Sequence, residues 1–158
     1  MERLKMNIVK PLRNSNSRRL PKKLLPLSSR KYINLITTMI FSCLIGTYLD
    51  LYLVGKGLYS FPQRPFPDIF SINISFTLIV LPVLVGVYLI ICDKLTNLKK
   101  MVFILSISLM MTVIEKQSEV LGFFEHHDLW NHIFSTFGYT FYLTFIYCFY
   151  HWLQKQKH

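Results

Sequence analysis

Three runs of this chain are too long and too apolar to be connections: residues 32–54, 69–91 and 133–153. The first is interrupted only by Asp50, the second carries no formal charge, and the third has only His151. About twenty such residues are enough for a helix to cross the hydrocarbon of a bilayer. Charge is kept away from these runs. The net charge is +10, and ten of the eighteen lysines and arginines lie in residues 1–31. A bilayer demands this separation, because charged side chains are costly in hydrocarbon. The length, 158 residues, fits one domain. The expected fold class is therefore all-α: a polytopic membrane protein with four transmembrane helices.

The fourth helix comes from a weaker run. The uncharged part, Met101–Ile114, is only fourteen residues long. To cross, span 3 must continue through Glu115 and Glu119 to about Phe124. The spans are then about 32–54, 69–91, 101–124 and 133–153. Gly55-Lys56-Gly57 stops the first. Pro62, Pro65 and Pro67 keep the following loop extended, with Tyr59, Phe61 and Phe66 at headgroup level. Pro82 lies within span 2 and is expected to kink it.

Residues 1–31 read as a basic, mostly disordered tail, broken by Pro11, Pro21 and Pro26. Its partner is expected to be anionic lipid headgroups, each basic residue near the surface contributing about 1 kcal/mol. It lacks interleaved aromatics, so nucleic acid is not expected. Ser17-Arg18-Arg19 does not make a twin-arginine export signal, since Pro21 and Lys22 follow where that signal is apolar. The first span is expected to remain in the mature protein. Residues 154–158 form a second short basic tail. Basic residues number fifteen on the side of the two tails and the 93–100 connection, against three on the other side. The positive-inside rule then puts both termini in the cytoplasm of a bacterial cell, with the protein in the cytoplasmic membrane.

Half of the eight acidic residues and three of the five histidines fall within residues 115–132. Ser108, Thr112, Glu115, Glu119 and Gly122 follow helical steps of four and three and line one stripe of span 3. A small and acidic stripe in a membrane helix faces protein or water rather than lipid. Asp50 on span 1, Asn73, Ser75 and Thr77 on span 2, and Ser135, Thr136, Gly138 and Thr140 on span 4 share this outer level. The inner half carries fewer polar groups, mainly Asn34, Thr37 and Thr38. This is the pattern of a pocket open to the outside or of a polar packing seam. Glu115 lies about 15 Å below the outer end of span 3 at the helical rise. Glu115, Glu119, Asp50 and Trp130 are the candidate ligand- or proton-binding residues. Glu115 reads either as a proton- or cation-binding carboxylate, or as a group ion-paired with Lys116 or hydrogen-bonded to a neighbouring span.

His126, His127, Asp128 and His132 are zinc-ligand types, and Glu119 could complete their set. No H-E-x-x-H or similar signature organises them, and Asp128 reads equally well as the N-cap of span 4. No cofactor is expected, with zinc or another divalent cation as the alternative. Cys43, Cys92 and Cys148 have neither the CxxC spacing of a zinc or redox site nor a place in an outer loop.

Asp50-Leu-Tyr-Leu-Val-Gly-Lys-Gly-Leu-Tyr59, Phe61-Pro-Gln-Arg-Pro65, Leu81-Pro82, Glu115 and Trp130-Asn-His-Ile-Phe-Ser135 resemble a family of small uncharacterised multi-span membrane proteins of bacilli and clostridia. The resemblance covers about residues 32–153 and implies the four-span architecture. It implies no activity. No complete catalytic motif is present, so the expectation is a non-enzymatic binding or interaction protein with a polar outward-facing pocket. The lipid bilayer is its surroundings, and a second copy or another membrane protein its partner. The alternatives are a small proton- or cation-coupled transporter using Glu115 and Asp50, and a metal-dependent intramembrane enzyme.

Overall fold

The computed structural model describes residues 27–127 and 131–156. Helix α1 runs Leu27–Gly55 and is followed by a two-residue strand, β1, Tyr59–Ser60. A π-helical turn, Phe76–Val80, leads directly into α2, Leu81–Cys92. Then come α3, Asn97–Val120, a second two-residue strand, β2, Glu125–His126, and α4, His132–Lys155. Among the described residues, all the regular structure apart from the paired strands is helical. The basic tail expected over 1–31 lies outside the described residues up to position 26.

Among the described residues, two helices are long and apolar enough to cross a membrane. They are Ser29–Gly55, with 27 residues and mean hydropathy 1.5, and Asn97–Val120, with 24 residues and mean hydropathy 1.6. Only 17% and 11% of their apolar windows are buried, unlike the core helix of a soluble domain. The sequence pattern suggested four such helices. Phe76–Cys92 is apolar but shorter, and α4 has the length but interleaves tyrosine, threonine and histidine among its apolar residues.

Helix ends differ from the expected spans for local reasons. The helix of span 2 begins only at residue 74, because Phe66–Phe70 curl into turns closed on the Phe66 carbonyl. Pro82 sits in the first turn of α2, and the helix accommodates it through the π turn, in which Leu81 N–H donates to Phe76 O. A proline removes a backbone donor, and a wider turn beside it re-pairs the carbonyls. α3 starts four residues earlier than expected and stops at Val120. Gly122, placed by the sequence pattern on the polar stripe, has φ +75° and ends the helix instead. Gly122 N–H bonds to Glu119 O and Phe123 N–H to Ser118 O, a Schellman closure. α1 ends in the same way at Gly57, φ +69°, with Gly57 N–H on Val54 O and Leu58 N–H on Leu53 O.

These two like endings deliver the chain into β1 and β2, which pair antiparallel with Tyr59 opposite His126 and Ser60 opposite Glu125. The loops after α1 and after α3 therefore lie at the same end of the molecule. Tyr59, Phe61 and Phe124 pack their rings together beneath the pair, with centroids 5.1–5.7 Å apart. Tyr59, expected with Phe61 and Phe66 at headgroup level, is buried with Phe124, and Phe66 is exposed. Arg64 gathers the intervening loop: its guanidinium donates to Phe61 O, Pro67 O and Phe70 O.

α3 packs on α4, and α1 on α2 and α4. Contact between α1 and α2 is close at Gly46, where an added Cβ would lie 2.3 Å from Leu81 Cδ2. The apolar core sits toward the end opposite the strands. It is built from Val85, Tyr88, Leu89, Cys92, Ile104, Leu143, Ile146 and Tyr150. Lys31 pairs with Asp93 at 2.8 Å at that end, and Tyr150 donates to the same carboxylate. The outward faces are studded with large apolar side chains, such as Ile36, Ile40, Leu44 and Tyr48 along α1. All three cysteines are free.

Candidate functional site: a buried carboxylate under a histidine pair

Near the strand end, α3 turns one face toward the first two turns of α4. Thr112, Glu115 and Glu119 lie on it at helical spacing. The opposing face of α4 offers His132, Ser135, Thr136 and Tyr139. The lowest rung is a hydroxyl pair, Thr112 Oγ1 to Thr136 Oγ1 at 2.9 Å.

Glu115 forms the middle rung and is buried, 9% exposed. Ser135 Oγ donates to its Oε1 at 2.6 Å, and Tyr139 OH donates to its Oε2 at 2.8 Å. His132 Nδ1 stands 3.3 Å from Oε1. Both oxygens are thus claimed by α4. Of the two structural readings of Glu115, pairing with Lys116 or bonding to a neighbouring span, the second describes the geometry. α3 ends five residues beyond it, so Glu115 sits about 7.5 Å below the helix end at about 1.5 Å per residue. That is half the depth expected from a helix reaching Phe124.

Glu119 forms the upper rung. His126 Nδ1 approaches its Oε1 to 2.5 Å, and His132 Nε2 lies 3.5 Å from its Oε2. The His126 contact is close but not aligned for hydrogen bonding: its Nδ1 is buried without a hydrogen-bond partner. The two imidazole rings stand 5.0 Å apart. Three separate elements place these groups: the last turn of α3, strand β2 and the first residue of α4. The start of α4 is set by Asn131, whose side-chain oxygen accepts from Ile133 N–H, so the cap expected at Asp128 is at Asn131.

The remaining candidates divide. Asp50 accepts a 2.6 Å bond from Tyr59 OH, and Tyr59 is within electrostatic reach of both Tyr139 and Glu115. Burial, reinforced by the neighbouring Asp50 charge, raises the Tyr59 phenol well above its ordinary 10.0. His127 donates its backbone N–H to Leu58 O and is exposed, and it is not part of the Glu119–His126–His132 group. Asp128 and Trp130 lie outside the described residues. Asn73 turns its side chain inward to accept from Phe76 N–H, and the Thr77 hydroxyl returns to its own helix. Gly138 is open, with nothing near its missing side chain.

Sequence reasoning missed Tyr139 and Tyr59. Tyr139 was legible: His132, Ser135 and Tyr139 follow steps of three and four on one face of α4. Tyr59 was not, because its partner depends on how the chain turns after Gly57.

No family model, no curated protein and no solved structure matches this chain.

Proposed function

We propose that this chain is a four-span integral protein of the bacterial cytoplasmic membrane, with both termini in the cytoplasm, that binds a ligand from outside through the polar α3–α4 seam. The observation that carries this reading is the environment of Glu115. Its buried carboxylate is held by Ser135 and Tyr139, directly beneath Glu119, His126 and His132, whose side chains are 21–30% exposed. A buried polar group opening onto a half-exposed shell of the same chemistry suits capture of a polar or charged ligand.

The membrane reading rests on the apolar lengths of α1 and α3, on the apolar outer faces, and on the fifteen-to-three distribution of basic residues. The loops after α1 and α3 share one end through the strand pair, as an even number of crossings between them requires. The resemblance to the small multi-span family agrees with this architecture. Anionic lipid at the basic tail and a second copy or membrane partner along the apolar faces belong to the same reading.

Binding is favoured over transport by the other half of the bundle, where the apolar core from Val85 to Tyr150 closes the space below the seam. The transporter reading has one observation of its own: the Asp50 carboxylate, bonded by Tyr59, lies at the same strand end of the molecule as Glu115.

Reporter fusions test the architecture. Fusions after Lys31, Asp93 and Lys155 are expected to report cytoplasm, and those within 61–67 and 123–127 the outside. A cytoplasmic signal from 123–127 would sink it. Proton or cation flux in proteoliposomes that depends on Glu115 would move the reading from binding to transport.

A further inference from the structure

The upper rung of the seam contains an arrangement that hydrogen bonding alone leaves incomplete. His132 presents Nδ1 to Glu115 Oε1 at 3.3 Å. In a neutral imidazole that contact takes the single ring proton, so Nε2 is left with a lone pair. That lone pair faces Glu119 Oε2 at 3.5 Å. A carboxylate oxygen and an imidazole lone pair repel at this distance unless a proton or a metal ion stands between them. His126 adds a second imidazole to the same carboxylate, its buried Nδ1 in ion-pair contact with Oε1 without an aligned hydrogen bond.

We infer that Glu119, His126 and His132 form a binding site for a divalent transition-metal ion of the zinc class. The inference rests on the proposed reading of the seam as a ligand site and names the ligand. Ligand atoms from the three residues all lie within 4.8 Å of one another. Two ligands bound tetrahedrally to zinc at about 2.1 Å stand about 3.4 Å apart, which the 3.5 Å between His132 Nε2 and Glu119 Oε2 matches, while His126 Nδ1, at 2.5 Å from Glu119 Oε1, would have to draw back to admit the ion. Two imidazoles and one carboxylate suit zinc or cobalt. Magnesium and calcium take oxygen donors.

The surroundings fit as well. A metal-bound histidine usually gives its other ring N–H to a carboxylate, which orients the ring and raises its basicity. Glu115 stands in that place for His132, itself fixed by Ser135 and Tyr139. The His126 backbone is set by pairing with Tyr59. The negative carbonyl end of α3 and the positive N-terminus of α4 both meet at the site and offset one another. Three protein ligands leave one tetrahedral position for water or an outside ligand. Glu115 is a positioning residue, not a ligand.

Cobalt titration of the full-length protein tests the site. The protein is purified in detergent without a polyhistidine tag, stripped with chelator, and titrated with Co2+. One visible-band equivalent per chain is expected, displaced by Zn2+. His126→Ala, His132→Ala and Glu119→Gln should each abolish the band, while His127→Ala should leave it unchanged. Glu115→Gln should retain the band but weaken Co2+ binding by about 10–100-fold, an effect that a merely structural role would not confine to affinity. Helical circular dichroism and a monodisperse elution profile establish that each variant is folded. Absence of the band in wild-type protein at millimolar Co2+ overturns the inference without any variant. Survival of the band in both histidine variants overturns it too, by moving the metal elsewhere. The reporter fusions fail independently: metal binding with residues 123–127 in the cytoplasm would keep the site and discard the outward-facing reading.

Discussion

Tyr59 donates its phenolic proton to Oδ1 of Asp50 across 2.6 Å. Asp50 belongs to the next-to-last turn of α1, and Tyr59 opens the strand that pairs with β2. One hydrogen bond therefore ties the end of a helix to the strand pair beyond it.

Tyr59→Phe is expected to cost about 1.5–3 kcal/mol, the range for a hydrogen bond to a charged group. The loss reads as a lower melting temperature in detergent. Because the folded phenol titrates above its ordinary 10.0, its neutral form contributes stability below pH 10 that is lost as pH rises toward the folded value. Wild-type melting temperature should fall more steeply above pH 10 than that of Tyr59→Phe. Parallel curves would refute this.

At Glu115, shape and charge can be separated. Glu115→Gln keeps an acceptor for one hydroxyl and is expected to stay folded. Glu115→Leu removes the Tyr139 acceptor and should lose about 1–3 kcal/mol, the cost of leaving a buried polar group unpaired. Thermal unfolding of the two variants side by side measures the difference. Equal stability would mean that the carboxylate is not held as described.

The register of the strand pair is open to a chemical test. Opposed residues in an antiparallel pair have Cα atoms about 4.5–5.5 Å apart, within disulfide reach. Ser60→Cys with Glu125→Cys, in a chain whose three native cysteines are changed to alanine, should oxidise to an intramolecular cross-link visible as a gel shift. Ser60→Cys with Phe123→Cys should not.

Arg64 bonds three carbonyls through a planar fork, a geometry that lysine cannot copy. Both Arg64→Ala and Arg64→Lys should speed amide hydrogen exchange across 61–70, with alanine the faster. The expected loss is about 1–3 kcal/mol of local stability. Unchanged exchange in Arg64→Ala would show that the prolines alone hold the loop.

The sequence carried the helices and the broad level of the polar cluster because apolar length and three-four spacing are local properties. Glu115, Glu119 and His132 could be placed at one end of the spans without knowing the fold. What could not be read was set by single backbone angles and by contacts between distant segments. Gly122 has the spacing of the polar stripe and the conformation of a helix stop, and only the second holds. His126 reaches Glu119 because β2 pairs with a strand that starts sixty-seven positions earlier in register, Tyr59 against His126. Arg64 looked like one outer charge among three until its carbonyl partners gathered around it.

The π turn at Phe76–Val80 slips the helical wheel. A turn of this kind holds one residue more than its α counterpart, and each residue of an α-helix advances the wheel by about 100°. A single wheel drawn through 74–92 therefore puts one half out of phase with the other: Thr77 and the face of Val85, Tyr88 and Leu89 cannot be lined up by counting. Deleting one residue from 76–80 would let the turn close as an ordinary α-helical one, and the segments on either side would keep their present faces.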